Sequence, residues 1–92
     1  MIISVGARGA AASDGKGFWQ AVPPKIKMVN TVGCGDALVA GVLSVLLKDG
    51  PFDEAVRFGV ASGTANAMSI HPGSFTRQQV LDLAGRVTIR RL

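Results

Sequence analysis

The sequence predicts an α/β fold in which short β-strands are followed by packed helices and a final strand. The chain has 92 residues, of which 48% are hydrophobic and 17% charged, enough for one buried core. Apolar β-branched and small residues separated by glycine-rich turns fill the first quarter, and helically spaced apolar residues fill most of the rest. This order is typical of a layered α/β unit, and residues 1–92 are expected to form a single segment.

The first quarter of the chain is predicted to be β-structure. Ile2 to Val5 is a short apolar run closed by a glycine-containing turn. The segments GAAAS and FWQAV are two further strands around the turn Asp14-Gly15-Lys16-Gly17. Pro23-Pro24 breaks the ladder because proline has no N–H to donate, and Lys25 to Val29 alternates as a half-exposed extended segment.

Two long helices are predicted next. The first opens at Gly33–Asp36 and runs to about Leu47 with no charge after its first turn, which indicates a helix largely surrounded by protein. Gly50-Pro51 stops it. The second runs from Asp53, a plausible N-cap, to about Ser69, and its many small residues would let neighbouring backbones approach closely.

A third helix and a last strand complete the prediction. Thr76 and Gln79 have the spacing of a capping box, and the helix that follows extends to Gly85. Val87 to Ile89 is a short β-like run. The apolar faces of the three helices exceed what so small a sheet could cover, so we expect the chain to be a piece of something larger.

The distribution of charged residues along the chain argues against a nucleic-acid-binding protein. Ten basic and six acidic residues give a net charge of +4, but the basic residues are scattered, whereas nucleic-acid footprints are clustered. The longest apolar helical run, Ala37 to Leu47, is shorter than the roughly 18 residues that a membrane span needs. Cys34 is the single cysteine, and the first residues do not resemble a secretory signal, so a cytoplasmic protein is expected.

The run Gly33-Cys34-Gly35-Asp36 at the start of the first long helix is suited to phosphate. The leading amides of a helix lack internal partners, glycines let an anion approach the backbone, and the helix dipole favours negative charge there. Asp36 would be an ionised carboxylate beside this pocket, able to accept the proton of an attacking hydroxyl. A plainer interpretation stays open, because acidic residues are common in the first turn of any helix and Gly-x-Gly is a frequent turn.

A longer stretch of the sequence around this motif favours the phosphate site over an ordinary helix start. NTVGCGDALVAGVL resembles the C-terminal signature of the ribokinase-like carbohydrate kinases, the PfkB family, and the likeness extends to SVGARGA, PPKIKMVNTVG and GVASGTANAMS. With Asn30 at its head, the motif is similar to the branch that phosphorylates sugar phosphates such as fructose 1-phosphate or tagatose 6-phosphate. The resemblance implies the C-terminal part of a ribokinase-like three-layer fold, the nucleotide-binding and catalytic-motif portion, with the sugar-binding portion and the lid absent.

The resemblance also implies site residues and cofactors. Asp36 matches the catalytic base, and the amides of Gly33, Cys34 and Gly35 match the anion hole that also holds the nucleotide phosphates. The positions that match the nucleotide loop are Gly6, Ala7 and Gly9, and Asn66 matches a position near the adenine. ATP and Mg²⁺ are the implied cofactors, with a monovalent cation as a further candidate. Asn30 weakens the inference of a monovalent cation, because many members of the family have a charged residue at this position.

Two functions follow as alternatives. The first is an ATP-dependent kinase that transfers the γ-phosphoryl group to a hydroxyl of a sugar phosphate, with the isolated 92-residue chain inactive. The second is a non-catalytic truncated fragment or nucleotide-binding module that acts only by associating with a partner chain. For the kinase, the expected partners are ATP and a small sugar phosphate, together with further copies of the chain or a missing N-terminal portion. The second alternative requires the partner chain and no sugar phosphate.

Overall fold

The structure, a computed structural model, describes residues 2–4, 9–25, 33–68 and 75–91. The predicted order of strands, helices and a last strand is confirmed. Of the segments predicted from the sequence, most of the extended run after the two prolines lies outside the described residues. The elements in chain order are β1 (Ile2–Ser4), β2 (Ala10–Ser13), β3 (Phe18–Val22), α1 (Cys34–Leu46), α2 (Phe52–Met68), α3 (Arg77–Ala84) and β4 (Thr88–Arg91).

A tight turn joins β2 to β3, as the sequence predicts. The Asp14 carboxylate accepts hydrogen bonds from the N–H groups of Lys16 at 2.8 Å and Gly17 at 3.2 Å. The first of these bonds lowers the pKa of the Asp14 carboxyl group. Gly15 has a φ of 92°, a left-handed conformation that glycine adopts without steric cost. The hairpin therefore follows from local turn chemistry.

The four described strands form one antiparallel sheet in the order β1-β2-β3-β4. One face is buried through Ala10, Ala12 and Ala21, whose small side chains let a helix approach closely. On the same face Trp19 packs its ring 5.5 Å from that of Phe52, and the Arg91 guanidinium lies 5.6 Å from the Trp19 ring centroid. This face holds the sheet against the helices.

Helix α2 is the central element of the fold. It packs against β2, β3 and β4 and against both other helices. Val56 and Val60 lie one turn apart on this helix, and both are buried. The N-cap prediction for Asp53 is wrong: the helix begins at Phe52, and the Pro51 carbonyl accepts the first helical bond, from the Ala55 N–H at 3.0 Å. Pro51 therefore occupies the N-cap position, and Asp53 lies inside the first turn of the helix.

The packing of α1 on α2 depends on glycine. Gly41 and Gly59 face each other where the helices cross, and a methyl group built on Gly41 would lie 2.8 Å from the Gly59 Cα. Such contact brings the two backbones together, as the small residues of the sequence predict. Leu38 and Val42 flank this crossing and are buried.

The opposite side of α1 differs from the prediction of a helix largely surrounded by protein. Leu43 is 48% exposed, and Leu47, the residue that follows α1, is 82% exposed. We call this surface the outer stripe; it comprises Val39, Ala40, Leu43, Leu46 and Leu47. The described residues cover one face of α1 and leave this one open. None of the helices in the described ranges is long and apolar enough to cross a membrane.

Helix α3 begins at the predicted capping box. The Gln79 N–H donates to Thr76 Oγ1 at 3.1 Å, and the Thr76 N–H donates to Gln79 Oε1 at 2.7 Å. At the other end, the guanidinium of Arg57 donates to the carbonyl oxygens of Ala84 at 3.0 Å and Val87 at 2.8 Å. Arg57 on α2 thereby fixes the end of α3 and the approach to β4.

Replacing Arg57 with alanine is expected to lower the free energy of unfolding by about 2 kcal/mol, because two carbonyl groups lose a charged donor. Urea denaturation followed by circular dichroism measures the change. Arg77, an exposed cation on α3, is the control, and its alanine variant should change stability by less than about 0.5 kcal/mol. Equal losses in the two variants would show that the bonds to the end of α3 contribute nothing.

Candidate active site at the start of α1

The predicted phosphate motif forms the first turn of α1. Gly33 is the N-cap, with φ 79° and ψ 3°, and its carbonyl accepts the first helical bond, from the Ala37 N–H at 2.9 Å. This left-handed conformation costs an L-residue with a side chain roughly 1–2 kcal/mol, which accounts for glycine at the position. Helix geometry leaves the amides of the turn that follows without carbonyl partners in the preceding turn, so they can receive an anion.

Gly35 keeps the backbone of this turn open. It is exposed, and a methyl group built on its Cα would meet no atom within 4 Å. Its φ is not among the positive values, so neither backbone conformation nor internal packing requires glycine here. Glycine inside a helix costs up to about 1 kcal/mol relative to alanine. Nothing in the described residues therefore accounts for glycine at this position.

Asp36 completes the motif with an exposed carboxylate in the first turn of α1. The turn therefore combines amide donors, an open glycine and a proton acceptor within four consecutive residues. That set can stabilise developing negative charge on a phosphoryl group and can also accept a proton from a hydroxyl.

The structure brings Asn66 to this motif. Asn66 is 1% exposed, and its Nδ2 donates a hydrogen bond to the Cys34 sulfur at 3.4 Å. Gly63 lies one turn earlier on α2, where an added methyl group would be 3.3 Å from the Cys34 carbonyl oxygen. These contacts hold the first turn of α1 against α2. Sequence reasoning did not find them, because no local pattern connects residues on two different helices; the role of Asn66 near the adenine stays a prediction.

The predicted nucleotide loop is described only at Gly9. This buried residue precedes β2 with a φ of 94°, and an added methyl group would collide with the Ala21 carbonyl on β3. Gly9 thus has a structural reason to be glycine, and its contact with a nucleotide stays a prediction. Gly6, Ala7 and Asn30 lie outside the described residues.

Comparison with known proteins identifies what the motif belongs to. The chain is 40% identical over 92 residues to 1-phosphofructokinase of Bacillus subtilis, covering 100% of the chain and 30% of that protein. It is 38% identical over 73 residues to tagatose-6-phosphate kinase of Staphylococcus epidermidis, covering 79% of the chain and 24% of the relative. These two activities are those to which the motif and its Asn30 pointed.

A solved structure confirms the predicted ribokinase-like α/β fold. A protein of Staphylococcus aureus, solved as a candidate phosphofructokinase, superimposes with a TM-score of 0.93 at 36% identity. The match covers 99% of the chain and 29% of that protein, so the chain spans less than a third of the length of these similar proteins. Residues 1–77, most of the chain, match the sequence pattern of the pfkB family carbohydrate kinases, and the chain belongs to that family.

Proposed function

We propose that this chain supplies the phosphoryl-transfer site of an ATP-dependent sugar-phosphate kinase of the 1-phosphofructokinase or tagatose-6-phosphate kinase type. The observation that carries the proposal is the first turn of α1. Its backbone is open at Gly35, and the exposed carboxylate of Asp36 is adjacent to that opening. Membership of the pfkB family supplies the reaction class.

The proposed reaction assigns one task to each part of the turn. The acceptor hydroxyl oxygen forms a bond to the γ-phosphorus, the bond from that phosphorus to the bridging oxygen breaks, and ADP leaves. Asp36 takes the hydroxyl proton. The amides of Gly33, Cys34 and Gly35 stabilise the charge on the transferring group, and in phosphoryl transfer such positioning and electrostatics supply most of the rate.

ATP fits this turn better than a directly bound metal does. The exposed glycine backbone admits a phosphate, and Gly33 and Gly35 would hold it. Within ranges 9–25, 33–68 and 75–91 no three carboxylate, imidazole or thiol side chains come together as a metal centre requires. Mg²⁺ would therefore arrive with the phosphates and neutralise their charge. The monovalent cation depends on the surroundings of Asn30 and stays part of the proposal.

The proposed partners and compartment follow from the same chemistry. The substrates are ATP and a small sugar phosphate, and the site is expected to be completed by the rest of the kinase fold, with a homo-oligomer as a further expectation. ATP and sugar phosphates are held in the cytoplasm, which fits a chain with one cysteine. Nucleic acid and membranes have no part in the proposal.

The proposal is tested in a chimera that carries this chain in place of the matching part of the Bacillus subtilis 1-phosphofructokinase. We expect the chimera to phosphorylate fructose 1-phosphate with ATP. Replacing Gly35 with alanine should lower turnover at least tenfold, since the added methyl group meets the approaching phosphate, and should weaken ATP binding in calorimetry. The free energy of unfolding should stay equal or rise by up to about 1 kcal/mol, because the methyl group meets nothing inside the chain.

A folded chimera without kinase activity, or full activity in the Gly35→Ala variant, would contradict the proposal. The exposed apolar residues of the outer stripe favour a second candidate, a non-catalytic segment that acts only by association with a partner chain. Calorimetry with ATP and Mg²⁺ on the 92-residue chain separates two versions of it. Heat of binding indicates a nucleotide-binding module, and its absence together with a concentration-dependent oligomer indicates an inert one.

A further inference from the structure

Asn66 is a polar residue in the buried part of α2. It is 1% exposed, and its Nδ2 donates to the Cys34 sulfur. Burial of an amide group is costly, and replacing both partners of a buried hydrogen bond by apolar groups of the same shape is often nearly neutral. Packing alone therefore does not account for asparagine at this position.

The side of α2 that faces α1 shows why Asn66 can reach the thiol. On that side, an added methyl group on Gly59 would lie 2.8 Å from the Leu38 carbonyl oxygen. One on Gly63 would lie 3.3 Å from the Cys34 carbonyl oxygen, so the contact moves toward the start of α1 as α2 proceeds. Asn66 follows at the same helical spacing, and the close approach of the backbones brings its side chain to the first turn of α1.

The direction of the Cys34 side chain determines the direction of Asp36. The two residues are two positions apart in the first turn of α1, and at 100° per residue their side chains leave the helix about 200° apart. A contact that holds Cys34 against α2 therefore turns Asp36 to the opposite side, where the structure shows it exposed. A hydrogen bond is directional, so it fixes this rotation of the turn more closely than an apolar contact would.

We infer that Asn66 is a positioning residue, which through the Cys34 thiol sets the direction in which the first turn of α1 presents the Asp36 carboxylate and the neighbouring amides. The effect on turnover rests on the proposed function, whereas the effect on the order of the turn does not. This task replaces the predicted contact with the adenine, because Asn66 is enclosed by protein and its amide is directed at Cys34.

Asn66→Leu in the chimera tests the inference, because leucine keeps the approximate size of the side chain and removes the donor. The matched control is Thr64→Val. Thr64 is 8% exposed on the same helix, and its Oγ1 donates to the Val60 carbonyl oxygen at 2.8 Å, so this variant also loses a buried hydrogen bond. Thr64 is about 160° from Asn66 around the axis of α2. Each variant should shift the thermal midpoint of the chimera by less than about 5 °C.

Turnover is expected to separate the two variants. Asn66→Leu should lower kcat about tenfold to a hundredfold, the cost of displacing reacting groups by up to about 1 Å, and Thr64→Val should leave it within about twofold. The ratio of kcat/KM with ATP to that with GTP should be unchanged in both. Equal turnover in the two variants would overturn the inference. A lower preference for ATP over GTP in Asn66→Leu would also overturn it and would place Asn66 at the adenine.

Substitution of Cys34 shows whether Asn66 acts through the thiol. Cys34→Ala removes the acceptor and keeps the backbone amide, and we expect it to lower kcat by about the same factor as Asn66→Leu. In the double variant the two factors should not multiply, because both substitutions break one contact, and multiplied factors would overturn the inference. If Asn66→Leu does not fold, Cys34→Ala decides alone: reduced turnover supports the inference, and normal turnover overturns it.

A measurement without catalysis separates the inference from the proposed function. It is made on the 92-residue chain, or on the chimera if the chain alone does not fold. The ¹⁵N order parameter of the Gly35 amide should fall from about 0.85 toward about 0.6 in Asn66→Leu and should not change in Thr64→Val. This fall, together with a folded chimera that has no kinase activity, supports the positioning role and contradicts the kinase assignment. Unchanged order parameters in both variants would overturn the inference, even in an active chimera.

Discussion

A kinase that carries this segment is expected to lose about a hundredfold to ten-thousandfold in turnover when Asp36 is replaced by asparagine, the range that one general base contributes. Asparagine keeps the shape of the side chain and its place in the first turn of α1, but it cannot accept the hydroxyl proton. The affinity for ATP should change little, since the substitution leaves unchanged the amides that are proposed to receive the phosphates. Steady-state kinetics of the chimera give the turnover, and calorimetry gives the ATP affinity.

The control for this substitution is Asp49, an exposed aspartate just beyond the opposite end of α1. Asp49 has a φ of 56°, which asparagine also tolerates, so Asp49→Asn changes charge without straining the backbone. Turnover of that variant should be unchanged. If the Asp36 variant kept nearly normal turnover, another group would have to take the proton, and the assignment of the base would be wrong.

Replacing Gly41 with alanine is expected to lower the free energy of unfolding by about 2–3 kcal/mol, the cost of forcing extra volume into a packed contact. The added carbon would lie 2.6 Å from the Ser62 hydroxyl, 2.8 Å from the Gly59 Cα and 2.9 Å from the Phe58 carbonyl oxygen. Two of these three atoms belong to the backbone of α2, so the helices must separate. Urea denaturation of the chain or of the chimera measures the loss.

Two other glycine-to-alanine substitutions, one on α1 and one on α2, serve as comparisons. Gly35→Ala introduces the same methyl group into α1 where nothing lies within 4 Å, and it should not destabilise the fold. Gly63→Ala is intermediate, since its added carbon would be 3.3 Å from the Cys34 carbonyl oxygen. A loss below about 0.5 kcal/mol for Gly41→Ala would mean that the close approach of the two helices is not needed for stability.

The sequence predicts a strand or helix of this fold well where residues close together in the chain form hydrogen bonds with one another at its end. Asp14 with the glycine after it specifies the hairpin turn, and Thr76 with Gln79 specifies the start of α3. The N-cap of α2 is mispredicted by the same logic, because an aspartate near a helix start need not be the residue that caps it. The pairing of β3 with β4 joins distant parts of the chain, and no local pattern encodes it.

The burial of α1 shows a second limit on what can be predicted from the sequence. Its residues are apolar on two opposite faces, and this pattern predicts enclosure without saying which partner covers which face. In the structure, α2 covers the face of Leu38 and Val42, and the outer stripe is exposed. The described residues therefore enclose one of the two apolar faces that the pattern contains.

One part of the candidate site could be predicted from the sequence, and another part could not. The glycines and Asp36 are adjacent in the chain, so their grouping at the start of α1 follows from the sequence once the helix is recognised. The contact between Asn66 and Cys34 depends on how two helices cross, and only the structure shows it.

In the proposed kinase, the contact between Asn66 and Cys34 would also affect the cost of binding phosphate. Asn66 is enclosed on α2, the helix that packs on the sheet, and it holds the first turn of α1 by its thiol. The contact holds the Cys34 side chain in place in the folded chain before any ligand binds. In the proposed kinase, less entropy would therefore be lost at this turn when a phosphate binds.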